Sequence, residues 1–123
     1  MTDESNGNDE PQSPEDQLQV DLERLHRIKG QLDQLKELNR VEEEDIVAEE
    51  GHLDATEAEA NEMLQDVSEQ NRGAARERME RRIGDARARL GRRRERLARE
   101  KKVVEDAERE YAELEAELNK KKQ

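Results

Sequence analysis

The chain has no cysteine, tryptophan or phenylalanine, and Tyr111 is its one aromatic residue. Without thiols it can build neither a disulfide framework nor a thiolate metal site, and it has no thiol nucleophile. Hydrophobic residues fill 30% of its 123 positions, whereas an ordinary globular domain is about 45–50% apolar. That is too little for a three-dimensional core, yet enough for a one-dimensional seam. No apolar run approaches the ~20 residues needed to span a membrane. The opening MTDESNGNDE is acidic and polar, so no cleaved secretory signal is expected and a cytoplasmic location is.

What the chain has is heptad order. One column of residues seven apart runs Leu18, Leu25, Leu32, Asn39, Ile46, Leu53, Ala60, Val67. A second runs Ile83, Leu90, Leu97, Val104, Tyr111, Leu118 in a different phase, since seven beyond Val67 lies Ala74 and then Arg81. A heptad repeat held this long keeps one stripe of a helix facing a partner helix. Two out-of-phase columns imply two helices with an interruption between them. Asn71-Arg72-Gly73 is the expected turn, because Ser68 to Gly73 contains no apolar residue and ends in glycine.

The fold expected is all-α: a long antiparallel coiled-coil helical hairpin that self-associates and carries a disordered N-terminal tail. Residues 1–14 read as the acidic tail, 15–70 as helix one, 71–73 as the turn, 74–119 as helix two and 120–123 as a basic tail. Ser13 is the candidate N-cap, with Pro14 at the first helical position and Asp16 three residues on. Gly51 is the one place where helix one could break. Continuation is favoured, because Ile46, Leu53, Ala60 and Val67 keep their phase across it. Folding back at 71–73 pairs seam positions that sum to 143, such as Ala60 with Ile83, Leu53 with Leu90 and Ile46 with Leu97.

Charge supports that pairing. The net charge of −11 divides into −17 for residues 1–71 and +6 for residues 72–123. The hairpin sets acidic 42–69 against basic 72–102. It also sets 103–119, with seven acids and one arginine, against a stretch holding Arg24, Arg27, Lys29, Lys36 and Arg40. Opposite charges beside a seam select partner and orientation. The centre is the poorest part of the seam, because Glu42, Glu49, Arg93 and Glu100 stand where a second apolar column belongs. Asn39 at a seam position reads as a device that fixes register and partner number.

Other constellations have bland alternatives. Glu23-x-x-His26 and Glu49-x-x-His52 match the i, i+3 element of di-iron bundles, but with 34 acids in the chain such spacing is common and a solvated helix face accounts for it. The arginines of 72–102 form the densest charge cluster. Asn71-Arg72-x-Ala74-Ala75, followed by arginines and a heptad column, resembles the basic-region leucine zippers, a likeness that would imply a DNA-binding arm. The pattern departs where that family has a small residue and then Arg: here Arg78 and Met79 stand there. Its column is one residue out of step, and Gly84 and Gly91 interrupt it.

No nucleophile–base pair, Gly-rich phosphate loop or apolar pocket is visible, so the chain reads as a non-enzyme. The function expected is that of an interaction or structural protein (scaffold, adaptor or spacer) acting through the seam residues Leu18, Leu25, Leu32, Asn39, Ile46, Leu53, Ile83, Leu90, Leu97, Val104, Tyr111 and Leu118. Its expected partner is another protein or a second copy. No cofactor, metal, small-molecule ligand or membrane is expected. The alternative is a nucleic-acid-binding protein using the Arg-rich segment, with Arg76, Arg82, Arg89, Arg93, Arg94 and Arg96 as contacts.

Overall fold

A computed structural model describes residues 13–122. It is all-helical, with no strand among the described residues: α1 spans Pro14–Leu64 and α2 spans Glu69–Lys122, the arrangement of a two-helix hairpin. The expected tail at residues 1–14 falls almost wholly outside the described part. Helix α1 starts as its sequence directs. The Ser13 hydroxyl accepts a hydrogen bond from the Asp16 amide at 3.1 Å, Pro14 fills the position where no amide is needed, and Glu15 and Asp16 put negative charge at the positive end of the helix dipole. The helix runs unbroken through Gly51. At the other end, Lys120, Lys121 and Lys122 form the last turn of α2 instead of a separate tail, where cations meet the negative end of the dipole.

The turn lies earlier than its glycine suggests. Helix α1 stops at Leu64 and α2 begins at Glu69, so the connection is 65–68 and Asn71-Arg72-Gly73 is wound into α2. The exit from α1 tightens through bonds three residues back, from the Gln65, Asp66 and Val67 amides to the Glu62, Met63 and Leu64 carbonyls at 3.1, 3.1 and 3.2 Å. Ser68 then opens α2, its carbonyl accepting from the Asn71 and Arg72 amides and its hydroxyl from the Asn71 side-chain amide at 3.2 Å. The Arg72 guanidinium reaches back to the Gln65 and Val67 carbonyls, at 3.3 and 3.0 Å. It thereby brings a cation to the end of α1, whose own last turn has none. No described residue has a positive φ, so this turn makes no demand for glycine. A serine cap with an arginine behind it does the work instead.

Two compact units draw on both helices: one uses the chain up to Leu35 and from Val104 onward, the other is Lys36–Val103. In the first, Leu25, Leu32 and Val104 are buried, with Leu18, Tyr111 and Leu118 half-buried beside them. In the second, Ile46, Leu64, Ile83, Leu90 and Leu97 are buried and Leu53, Ala60 and Val67 half-buried. Each unit therefore has one narrow apolar strip as its core, and no charged or polar residue is buried among the described residues.

The glycines inside the helices serve no visible steric purpose. A methyl group added at Gly84 or Gly91 would meet nothing within 4 Å. The double substitution Gly84→Ala, Gly91→Ala is therefore expected to stabilise the protein by about 0.5–1 kcal/mol per site, seen as a raised thermal midpoint. An unchanged or lowered midpoint would mean that these glycines meet a constraint absent from the isolated chain.

Candidate functional site

All twelve expected seam residues face inward to some degree. Leu25, Leu32, Ile46, Ile83, Leu90, Leu97 and Val104 are buried, and Leu18, Asn39, Leu53, Tyr111 and Leu118 are half-buried. Leu53 and Leu90 line one shallow concavity and Ala60 and Ile83 another. Those pairs meet even though the turn sits several residues from the expected midpoint. Leu64, also buried, was missed by the columns. The signal for it was the 3-4 spacing of Leu53, Glu57, Ala60 and Leu64, which places it on the same face.

The centre of the seam is closed by charge. Three carboxylates of α1 converge on Arg93 of α2, whose side chain is 23% exposed. Its Nε and Nη2 donate to Glu42 at 3.0 and 2.8 Å, its Nη2 to Asp45 at 2.7 Å and its Nη1 to Glu49 at 2.8 Å. Hydrogen bonds to Asp45 and Glu42 hold the guanidinium charged still more firmly than usual. Glu42, Glu49 and Arg93 thus stand in the second-column positions not as gaps in a core but as a polar clasp. Asn39 lines a concavity with Glu42, Arg93, Arg96 and Leu97 next to this cluster.

Beside the clasp runs a ladder. Glu43 pairs with Lys101 at 2.8 Å, Glu50 with Arg94 through both oxygens, and Glu57 with Arg87 at 3.0 Å. The acids ascend by seven and the bases descend by seven, so each rung sums to 144. This is the spacing by which an antiparallel pair of helices keeps ion pairs on one flank. Asp54 shares Arg87 at 2.9 Å. The reverse-sign pairing expected for Arg40 does not occur, because Arg40 clamps Glu37 and Glu44 of its own helix. Carboxylates three and four residues away are its nearest neighbours on a helix surface.

The ladder imposes a pH dependence. Lys101 and Arg94, chiefly by hydrogen bonding, hold the Glu43 and Glu50 carboxyls below the ordinary value of 4.5. A lowered folded-state value means that these pairs stabilise the fold fully above the ordinary carboxylate range. The stabilisation is lost as pH falls through the folded-state values. The variant Glu43→Gln, Glu50→Gln is therefore expected to melt below the wild type at neutral pH, with the gap closing as pH falls below the ordinary carboxylate range and through the lowered folded-state values. A gap that persists on acidification would count against the ladder.

Of the expected nucleic-acid contacts, Arg93 and Arg94 are engaged by α1 as described. Arg76, Arg82, Arg89 and Arg96 are exposed and make no ion pair among the described residues. His26 and His52 are exposed, and no three His, Asp or Glu side chains among the described residues gather as a metal ion would require. Tyr111 donates to Glu115, four residues on, at 2.9 Å. Burial, and then that carboxylate, raise its pKa. No described helix is long and apolar enough to cross a membrane. No family model matches the chain, and neither a curated protein nor a solved structure is similar to it.

Proposed function

We propose that the protein is a non-enzymatic structural or interaction element: a coiled-coil hairpin whose helices close on each other and which assembles with a second copy of itself. The convergence of Glu42, Asp45 and Glu49 on Arg93 in the middle of the apolar strip carries this reading. Such a cluster adds little stability for its size, but it fixes register and orientation, as a polar residue does in a coiled-coil seam. Fixed geometry is what a scaffold, adaptor or spacer needs.

The surface proposed for the second copy is the apolar rim of the unit that ends at Leu35 and resumes at Val104. There Ile28, Leu35 and Leu114, one heptad column over from the buried strip, are 43%, 45% and 48% exposed. In the middle of the unit 36–103 the same column carries Glu42, Glu49 and Arg93, the arginine paired to both glutamates. A greasy column left half open can meet its own copy across a two-fold axis. Sedimentation equilibrium tests this. A mass above the 14.3 kDa of one chain is expected, with Ile28→Glu combined with Leu114→Glu restoring the single-chain mass at unchanged helicity. A wild type that stays a single chain at high concentration would remove the self-association.

A further inference from the structure

We propose that the exposed arginine-rich side of α2 from Arg78 to Arg99 is a docking strip for the phosphate backbone of a duplex nucleic acid, engaged without reading base sequence. Arg78, Arg81, Arg82, Arg89, Arg92, Arg96 and Arg99 recur at helical spacing on one side of α2, and all are exposed. At ~1.5 Å per residue the strip is about 30 Å long. Asp85 and Glu95 are the acids at the same helical spacing on this face, and Glu80 is the third acid between Arg78 and Arg99.

The cations of α2 that are tied to acids of α1 are a different set, Arg87, Arg93, Arg94 and Lys101. Arg78, Arg82, Arg89 and Arg96 border shallow concavities beside α1 without pairing to it. None of the seven strip arginines makes an ion pair or side-chain hydrogen bond among the described residues. Arg78 with Arg81 and Arg82, Arg89 with Arg92, and Arg96 with Arg92 and Arg99 stand three or four apart and repel, and a bound anion would relieve that repulsion.

The α1 acids of unit 36–103 are poor candidates for that anion. Of the eleven acids in 36–64, nine are already held by Arg40, Arg87, Arg93, Arg94 or Lys101, which leaves Glu59 and Glu62. A second copy would therefore find little free carboxylate on that helix segment to offer. A folded acidic protein is also a poor match, because protein interfaces have an apolar centre and this strip has none. Exposed ion pairs alone contribute little each. A membrane surface would need an apolar face beside the cations.

A polyelectrolyte needs only the charges. Neutralising phosphates releases condensed counterions, and that gain grows with each contact. Single strands are held largely by aromatic stacking, and the chain's lone aromatic, Tyr111, is half-buried in the other unit. The strip therefore suits a duplex. Arginine, a planar donor fork that grips phosphate oxygens in pairs, fits this use better than lysine.

The full-length chain should bind a random-sequence DNA duplex of roughly 20 base pairs in fluorescence anisotropy at about 50 mM salt. Affinity should fall with salt at a log–log slope of about −4 to −6. Arg89→Gln, Arg92→Gln and Arg96→Gln together should weaken binding at least ~100-fold and reduce the slope by about 3. Both residue types are good helix formers, so helicity should hold. The charge-matched control Lys120→Gln, Lys121→Gln, Lys122→Gln should leave binding within a few-fold.

No binding at low salt would overturn the proposal. So would an equal loss from the lysine control, which would make net charge rather than the strip responsible. Displacement of the duplex by polyglutamate at equal charge would assign the strip to an acidic protein instead. None of these outcomes alters the mass measurement that tests self-association.

Discussion

Leu97→Asp is expected to unfold the hairpin, with loss of the helical circular dichroism signal at room temperature. Leu97 is 4% exposed. Removing its burial forfeits about 1.5–3 kcal/mol, and forcing a carboxylate into the same strip costs several more unless it escapes to water. A domain of this kind has only about 5–15 kcal/mol of total stability to lose. Leu38, which lines a concavity with Leu97 but is 64% exposed, is the matched control: Leu38→Asp should leave the melting curve nearly unchanged. Two variants with equal effects would mean that the strip is not the core.

Reversing the clasp should produce the second-largest effect. Arg93→Glu removes the cation from Glu42, Asp45 and Glu49 and puts a fourth carboxylate among them. The melting temperature is expected to fall by at least about 5 °C. The dependence on salt should also change: added salt screens the new repulsion and raises the variant's stability, which it does not do for the wild type. Arg93→Met, which keeps the apolar stem without the charge, should fall between the two. Glu42→Arg added to Arg93→Glu should recover part of the loss. A salt response identical to the wild type would show that the four side chains act independently.

Much of the seam could be read from spacing. A period of seven is a statement about one helix face, and Leu25, Leu32, Ile46, Ile83, Leu90, Leu97 and Val104 are buried where it places them. The N-cap at Ser13 was legible for the same reason, since capping involves only residues three apart. The turn was harder. Gly73 looked like a helix stop, but a glycine marks a turn only when the backbone needs a positive φ, and this one does not. Ser68 with Glu69 behind it was the better signal, a capping serine followed by an acid in the first turn. The opposite charges of the two arms were visible in the composition. That Glu43, Glu50 and Glu57 form rungs with Lys101, Arg94 and Arg87 was not.

Periodicity, caps and the arm-to-arm charge imbalance are properties of residues within a few positions of each other, so the chain alone was enough to set two amphipathic helices and the faces they bury. Which arginines clasp α1 and which face outward depended on how each helix is rotated about its axis once it packs. Arg93 and Arg92 are adjacent along the chain, yet the turn of about 100° per residue puts one in the clasp and the other on the exposed strip. Only side chains from α1 brought alongside, tens of residues away in sequence, distinguish a cation that is held from one left for a partner.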